Sequence, residues 1–205
     1  MSGTGDTWVI QAVSDLDAIR ARPQAYVGAT DVSGRAALAL LVLQCSLGDN
    51  GPLAGHAMSA TVTIQRNGGI RVDDSGHGFP PGSTDQGIPW LIEAFRAPII
   101  GPDSSSGLSI VKALSQTVVA TSRRDGEMWR VEFHGDEPVG EPECLGRTDE
   151  TGTTIVFWPS DAVFSGSVDS MAISRPLRAF LRRYPGRVVT VRDEKSSGPD
   201  IVVKN

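Results

Sequence analysis

Along the chain the spacing of apolar positions changes repeatedly, and each change predicts an element. SDLDAIRAR carries apolar residues at helical spacing behind Ser14 and Asp17, an acceptor for unpaired amides and an acid for the positive end of the helix dipole. It predicts a short helix that Pro23 terminates. RAALALLVLQCSL, residues 35–47, is apolar nearly all round, which predicts a helix buried on most sides. SATVTIQ then alternates with period two, Asn67-Gly68-Gly69 supplies the positive φ of a tight turn, and IRVDD returns as the second arm of a hairpin. IPWLIEAF and GLSIVKALS predict helices on either side of the loop RAPIIGPDSSS. TVVATSRR and EMWRVEFH predict a second hairpin about Asp125-Gly126, and TTIVFWP a further strand. SMAISRPLRAFLRRY predicts a helix with Pro176 near its first turn, and RVVTVRD and DIVVKN two closing strands. Helices bunched early and strands paired as hairpins predict an α+β two-layer sandwich, a mixed and mainly antiparallel sheet with helices on one face.

Composition narrows the functions that such a fold could serve. A chain of 205 residues suits one domain and is short for two, and 40% hydrophobic with 21% charged residues excludes a disordered chain. The formal net charge of -5 and pI near 5.2 argue against a free-standing nucleic-acid binder, which needs a basic surface to neutralise phosphates. Direct DNA binding is therefore not expected. The basic residues at Arg123-Arg124 and in 175–183 read as solvated faces. MSGTGDTWVIQ lacks the basic start and apolar run of a secretory signal, and no segment is apolar for long enough to span a membrane, so a cytoplasmic location is expected. Cys45, in the apolar run, and Cys144, in a polar loop, read as two reduced thiols.

The candidate chemistry sits at residues 72–80, VDDSGHGFP, where the first hairpin ends. An ionised carboxylate only accepts hydrogen bonds, so one held at a strand end suits an exocyclic amine or another N–H donor. Gly76 and Gly78 lack a Cβ, which lets the backbone approach a flat ligand closely, and Pro80 closes the motif.

Five segments carry a resemblance: LDAIRARPQAYVGATD, LAGHAMSATVTI, IRVDDSGHGFP, GLSIVKALS and ETGTTIVFWPS. In this order they resemble the ATPase domain of the gyrase B and topoisomerase IV family, which has the Bergerat or GHKL fold. The resemblance runs from about Trp8 to the C-terminus. It implies an eight-stranded mixed sheet with helices on one face, and ATP held between helices, sheet and a mobile lid. By the same resemblance Asp74 matches the carboxylate that accepts the adenine amino group, and Gly78 the glycine of that motif. Thr153 matches a hydroxyl in the adenine water network. Gly107 matches the last lid glycine, where free amides at a helix start meet phosphate.

Departures from the family pattern concern the phosphate side. Counting back from Ala54-Gly55-His56 places Leu43 where the family has the glutamate that activates water, and Leu47 where it has the asparagine that ligates magnesium. With one deletion allowed, Ser46 takes the glutamate position. No Asp or Glu occurs between Asp31 and Asp49, which leaves Gln44 and Asp49 as the remaining candidates to orient water. A positioned general base contributes about 10²- to 10⁴-fold in rate, and loss of the metal ligand removes charge neutralisation as well. The lid segment is short, with Ser105 at a glycine position and Ser104, Ser105 and Ser106 as possible hydroxyl donors. His77 stands where the family carries an arginine, either as a turn residue or as a ligand contact. His56 and His134 read as structural.

These observations predict one domain over residues 1–205, without the transducer, Toprim or DNA-cleavage domains of the family. The function expected is a stand-alone module that binds ATP or ADP, without the family's magnesium ligand and deficient in hydrolysis, and reports its state to a partner such as a gyrase or topoisomerase subunit. The other readings are a gyrase mimic that has abandoned nucleotide, with its start resembling a truncated form of the arm that gyrase subunits exchange, and a slow ATPase with an unusual base.

Overall fold

The computed structural model describes residues 15–48, 56–96 and 106–205. Helix α1 (Asp15–Ala21) stops before Pro23 as expected, but Pro23 then opens one further turn, α2 (Gln24–Val27), because its fixed φ suits a helix start. Helix α3 (Val32–Leu47) begins three residues before the expected 35–47. The reason is Asp31, whose extended backbone and carboxylate, accepting the Ser33 N–H at 2.8 Å, cap the helix.

The expected first hairpin is formed by β1 (Ser59–Ile64) and β2 (Ile70–Asp74), with Val62 opposite Val72. IPWLIEAF yields a single helical turn, α4 (Trp90–Glu93), and α5 (Ser106–Ala113) ends two residues early because Ser115 already belongs to β3 (Ser115–Arg124). Strand β4 (Glu127–His134) returns from β3 through Asp125-Gly126. Two short strands, β5 (Glu137–Pro138) and β6 (Glu143–Arg147), pair with the outer edge of β4, so Cys144 lies on a strand rather than in a loop. Their sequence lacks the alternation of a half-buried strand, because nearly every residue in them is exposed.

Strand β7 (Gly152–Pro159) inserts between β3 and β2, and α6 (Ser170–Leu181) precedes β8 (Val188–Asp193) and β9 (Ile201–Lys204). Pro176 lies in the middle of α6, not near its first turn. The helix continues through the proline because Ile173, Leu177 and Leu181 recur at intervals of four and bury one stripe, offsetting the lost rung.

The described residues form one nine-stranded sheet in the order β5-β4-β3-β7-β2-β1-β8-β9, with β6 beside β4. Only β1 and β8 run parallel, so the sheet is mixed and mainly antiparallel, the expected α+β architecture with one strand more than the family pattern implied. Helix α3 lies across β1, β2 and β7, flanked by α5 and α6. Between helices and sheet, alternate residues of each strand build the core: Val62 and Ile64, Ile70 and Val72, Val118 and Ala120, Ile155 and Phe157, Val189 and Val191. No helix among the described residues is long and apolar enough to cross a membrane.

Candidate functional site

At one end of this apolar face the alternation continues but the chemistry changes. The next inward positions on β2, β7 and β3 are Asp74, Thr153 and Ser122, at 7%, 5% and 4% exposure. Strand register makes them neighbours, since Asp73 pairs with Thr154 and Thr153 with Ser122. A polar row buried on an otherwise apolar surface is retained only if its groups bond to something.

Asp74 is held entirely by neutral donors. Its Oδ1 accepts the Gly76 N–H at 2.9 Å and the Thr153 N–H at 3.1 Å, and its Oδ2 accepts the Thr153 hydroxyl in a short contact. A carboxylate offers about four acceptor positions. Oδ1 accepts two of these bonds and Oδ2 one. Its neighbour Asp73 points to the opposite face, where Arg71 grips it through two hydrogen bonds of 2.6 Å and the Thr154 hydroxyl adds one of 2.7 Å. Of the adjacent acids one is thus neutralised outside and the other buried and cation-free among the described residues. Gly152 presses on the back of Asp74: with φ at +115°, a Cβ there would stand 2.1 Å from the Asp74 carbonyl oxygen.

The glycine segment crosses β3 in direct contact. Gly78 adopts φ +71°, and a Cβ on it would lie 2.5 Å from the Arg123 carbonyl oxygen. Arg124 Nη1 donates to the Gly78 carbonyl at 3.1 Å. Ser122 Oγ accepts the Phe79 N–H at 2.8 Å and donates to the Phe79 carbonyl at 3.2 Å. Pro80 faces a largely apolar cavity of about 220 Å³ shared with Phe79, Leu91, Arg124 and Trp129.

The reading of Arg123-Arg124 as a solvated face is therefore corrected. Arg124 ties down the motif, and Arg123, with its side chain 14% exposed, donates to Thr154 at 3.1 Å and faces Glu150 at 3.6 Å. Ser122 and Gly152 were not singled out in the sequence. The legible signal for Ser122 is its place on the inward, apolar side of TVVATSRR, where a polar residue needs a partner. The basic residues of α6, Arg175 and Arg178, are exposed as expected.

Gly76, Gly78, Thr153 and Asp74 thus meet at one place, with Pro80 on the adjoining cavity. Gly107 lies in the first turn of α5 and is buried against α3, where a Cβ would stand 3.0 Å from the Leu41 carbonyl oxygen. Close helix packing accounts for that glycine. The lid segment 97–105, with Ser104 and Ser105, and the stretch 49–55, with Asp49, lie outside the described residues, as does the start of the chain up to residue 14.

Over the site, α3 carries no Asp or Glu. Leu43 and Leu47 are fully buried and Ser46 nearly so. Gln44 is half-buried on the same helix. Burial, reinforced by the nearby Asp74 charge, pushes the Cys45 thiol up to about 12, so it stays protonated at neutral pH. His77 is exposed, its ring 5.2 Å from that of His56, which takes a left-handed φ of 52°. His134 is exposed on β4 and bonds Glu132 at 2.8 Å.

An open, mainly antiparallel sheet with its helices on one face, and a strand-end aspartate held by a threonine and a glycine motif, define a domain of the Bergerat, or GHKL, class. Over 93% of its length the chain matches the crystal structure of the 43K ATPase domain of Thermus thermophilus gyrase B in complex with an aminocoumarin, with a TM-score of 0.77 and 27% identity, covering 51% of that chain. It is 31% identical over 98% of its length to the novobiocin-sensitive DNA gyrase B protein of Streptomyces niveus. It is also 32% identical over 91% of its length to the DNA gyrase B protein of Campylobacter jejuni, and 32% over 93% to the DNA topoisomerase 4 B protein of Enterococcus faecalis. The chain is a gyrase-B-like GHKL domain. It spans 31%, 26% and 30% of the length of these three relatives. No family model matches the sequence.

Proposed function

We propose that this domain binds the adenine base of ATP or ADP at Asp74 and does not hydrolyse the nucleotide, serving as a nucleotide-dependent regulatory or interaction module. One observation carries the reading: a buried carboxylate is fixed by three neutral hydrogen bonds, two on Oδ1 and one on Oδ2. An exocyclic amine fills the remaining acceptor position on Oδ2. A purine bearing a carbonyl there would set acceptor against acceptor in a desolvated place, which is how one hydrogen bond becomes a specificity filter. Gly78 and Phe79, pinned to β3, form the adjoining wall.

Loss of turnover is argued from α3. Its residues are apolar or neutral at the positions that the family fills with a base and a metal ligand, and a buried leucine accepts no proton. The described residues supply no carboxylate on that helix for magnesium, so no step is assigned to the metal. The partner proposed is a gyrase or topoisomerase subunit, a role supported by the likeness to such subunits. Calorimetry with ATP and ADP, with and without magnesium, together with a phosphate-release assay, tests the whole reading. Binding without release supports it, release above the spontaneous rate removes the claim of inactivity, and no heat with any nucleotide removes the claim of binding.

A further inference from the structure

We propose that Ser122 is a positioning residue of the nucleotide site, the hydroxyl that holds the Gly78–Phe79 backbone at its working distance from Asp74. The inference rests on the nucleotide reading above and goes beyond it by assigning a role to a side chain on β3.

Phe79 lies outside the strands, so no sheet ladder pairs its amide or its carbonyl. A single side chain does both: Ser122 Oγ receives the Phe79 N–H at 2.8 Å and donates to the Phe79 carbonyl at 3.2 Å. Those bonds are buried, with Phe79 itself 4% exposed, so water has little access to replace them. The approach is close as well as bonded, since a Cβ on Gly78 would stand 2.9 Å from Ser122 Oγ. Arg124, two residues on, adds its bond to the Gly78 carbonyl.

Ser122 is also the cross-strand partner of Thr153, whose hydroxyl bonds Asp74. Two neighbouring hydroxyls on the helix-covered face therefore divide the work. Thr153 orients the acceptor, and Ser122 sets the wall beside it. Removing the second should weaken binding of any purine while leaving the choice of base with Asp74.

The test is Ser122→Ala, with Ser115→Ala as control, because Ser115 is an equally buried hydroxyl on the same strand with no hydrogen-bond partner among the described residues. Hydrogen exchange of the Phe79 amide is measured in the nucleotide-free protein, and affinities for ATP and for inosine triphosphate by calorimetry. In Ser122→Ala the Phe79 amide should lose its protection and ATP affinity should fall by about tenfold or more, because a released segment must be re-ordered when the base binds. The preference for adenine over hypoxanthine should persist. Ser115→Ala should match the wild type in every measurement. Ser122→Cys, near in size and a weak hydrogen-bonder, gives the same comparison if the alanine variant does not fold. Wild-type protection at Phe79 in a Ser122 variant, or an equal loss of affinity in Ser115→Ala, overturns the assignment. Absence of nucleotide binding by the wild type overturns the nucleotide reading alone, because the exchange measurement still decides whether Ser122 holds the loop.

Discussion

Asp74→Asn isolates the hydrogen bond on which base recognition depends. The amide oxygen can stay where Oδ1 is, accepting the Gly76 and Thr153 N–H groups, while the NH₂ replaces Oδ2 and donates to a Thr153 hydroxyl that has only to rotate. The fold is therefore retained, with a stability change within about 1 kcal/mol, the scale of one neutral hydrogen bond. Toward the ligand the position changes from acceptor to donor. The adenine amine loses a charge-assisted hydrogen bond of about 1.5–3 kcal/mol and faces an unpaired donor costing about 1–3 kcal/mol more. At about 1.4 kcal/mol per factor of ten, affinity for ATP should fall by about 10²- to 10⁴-fold, below detection in an ordinary titration. Inosine nucleotides, which present a carbonyl at the same place, should bind the variant better than they bind the wild type. Calorimetry with both nucleotides on both proteins, with circular dichroism melts as the control for folding, makes the comparison. Unchanged ATP affinity in a folded variant, or no reversal of base preference, would refute the argument.

Three further outcomes follow from the geometry. Gly78→Ala should cost more than Gly126→Ala: both bear the left-handed penalty of about 1–2 kcal/mol, but only at position 78 does the new methyl meet a carbonyl oxygen at 2.5 Å, whereas nothing lies within 4 Å of position 126; thermal melts should rank them so, with Gly152→Ala the most damaging of the three, and equal melting temperatures would contradict the close approach. At pH 8 iodoacetamide should label Cys144, exposed on β6, well before Cys45, read by mass spectrometry of the two peptides, because Cys45 is half-buried and its desolvated thiol stays protonated. The Arg20 guanidinium, bonded to Asp136, holds that carboxyl below its ordinary 3.8, so the pair stabilises the fold at pH values above the ordinary one and loses its effect as pH falls through the lowered one; both side chains are a third or more exposed, so Asp136→Ala, which leaves the Arg20 bond to the Ala113 carbonyl in place, should cost less than about 1 kcal/mol at pH 7, with the difference from wild type closing in acid unfolding curves below about pH 4.

Much of the molecule is encoded locally and can be read that way. Period-two alternation located β1, β2, β3, β4 and β7, an all-apolar run located α3, and the absence of acid from that run needs no coordinates. The choice of Asp74 and Gly78 within VDDSGHGFP, and of Thr153 within TGTT, came from the family resemblance rather than from local pattern, and Asp74 and Thr153 do meet, joined by hydrogen bonds. Other features were illegible for physical reasons. β5 and β6 bury almost nothing, so their sequence carries no alternation, and Pro176 survives inside α6 because tertiary burial of Ile173, Leu177 and Leu181 outweighs a local preference. Which of two adjacent acids turns inward depends on the parity of β2 against the helix layer, and that parity is set by the whole sheet. The roles of Ser122 and Arg124 belong to the same class. Periodicity is a property of neighbours along the chain, whereas a hydroxyl on β3 meets Phe79 across 43 residues only after β7 has fixed the distance between β2 and β3.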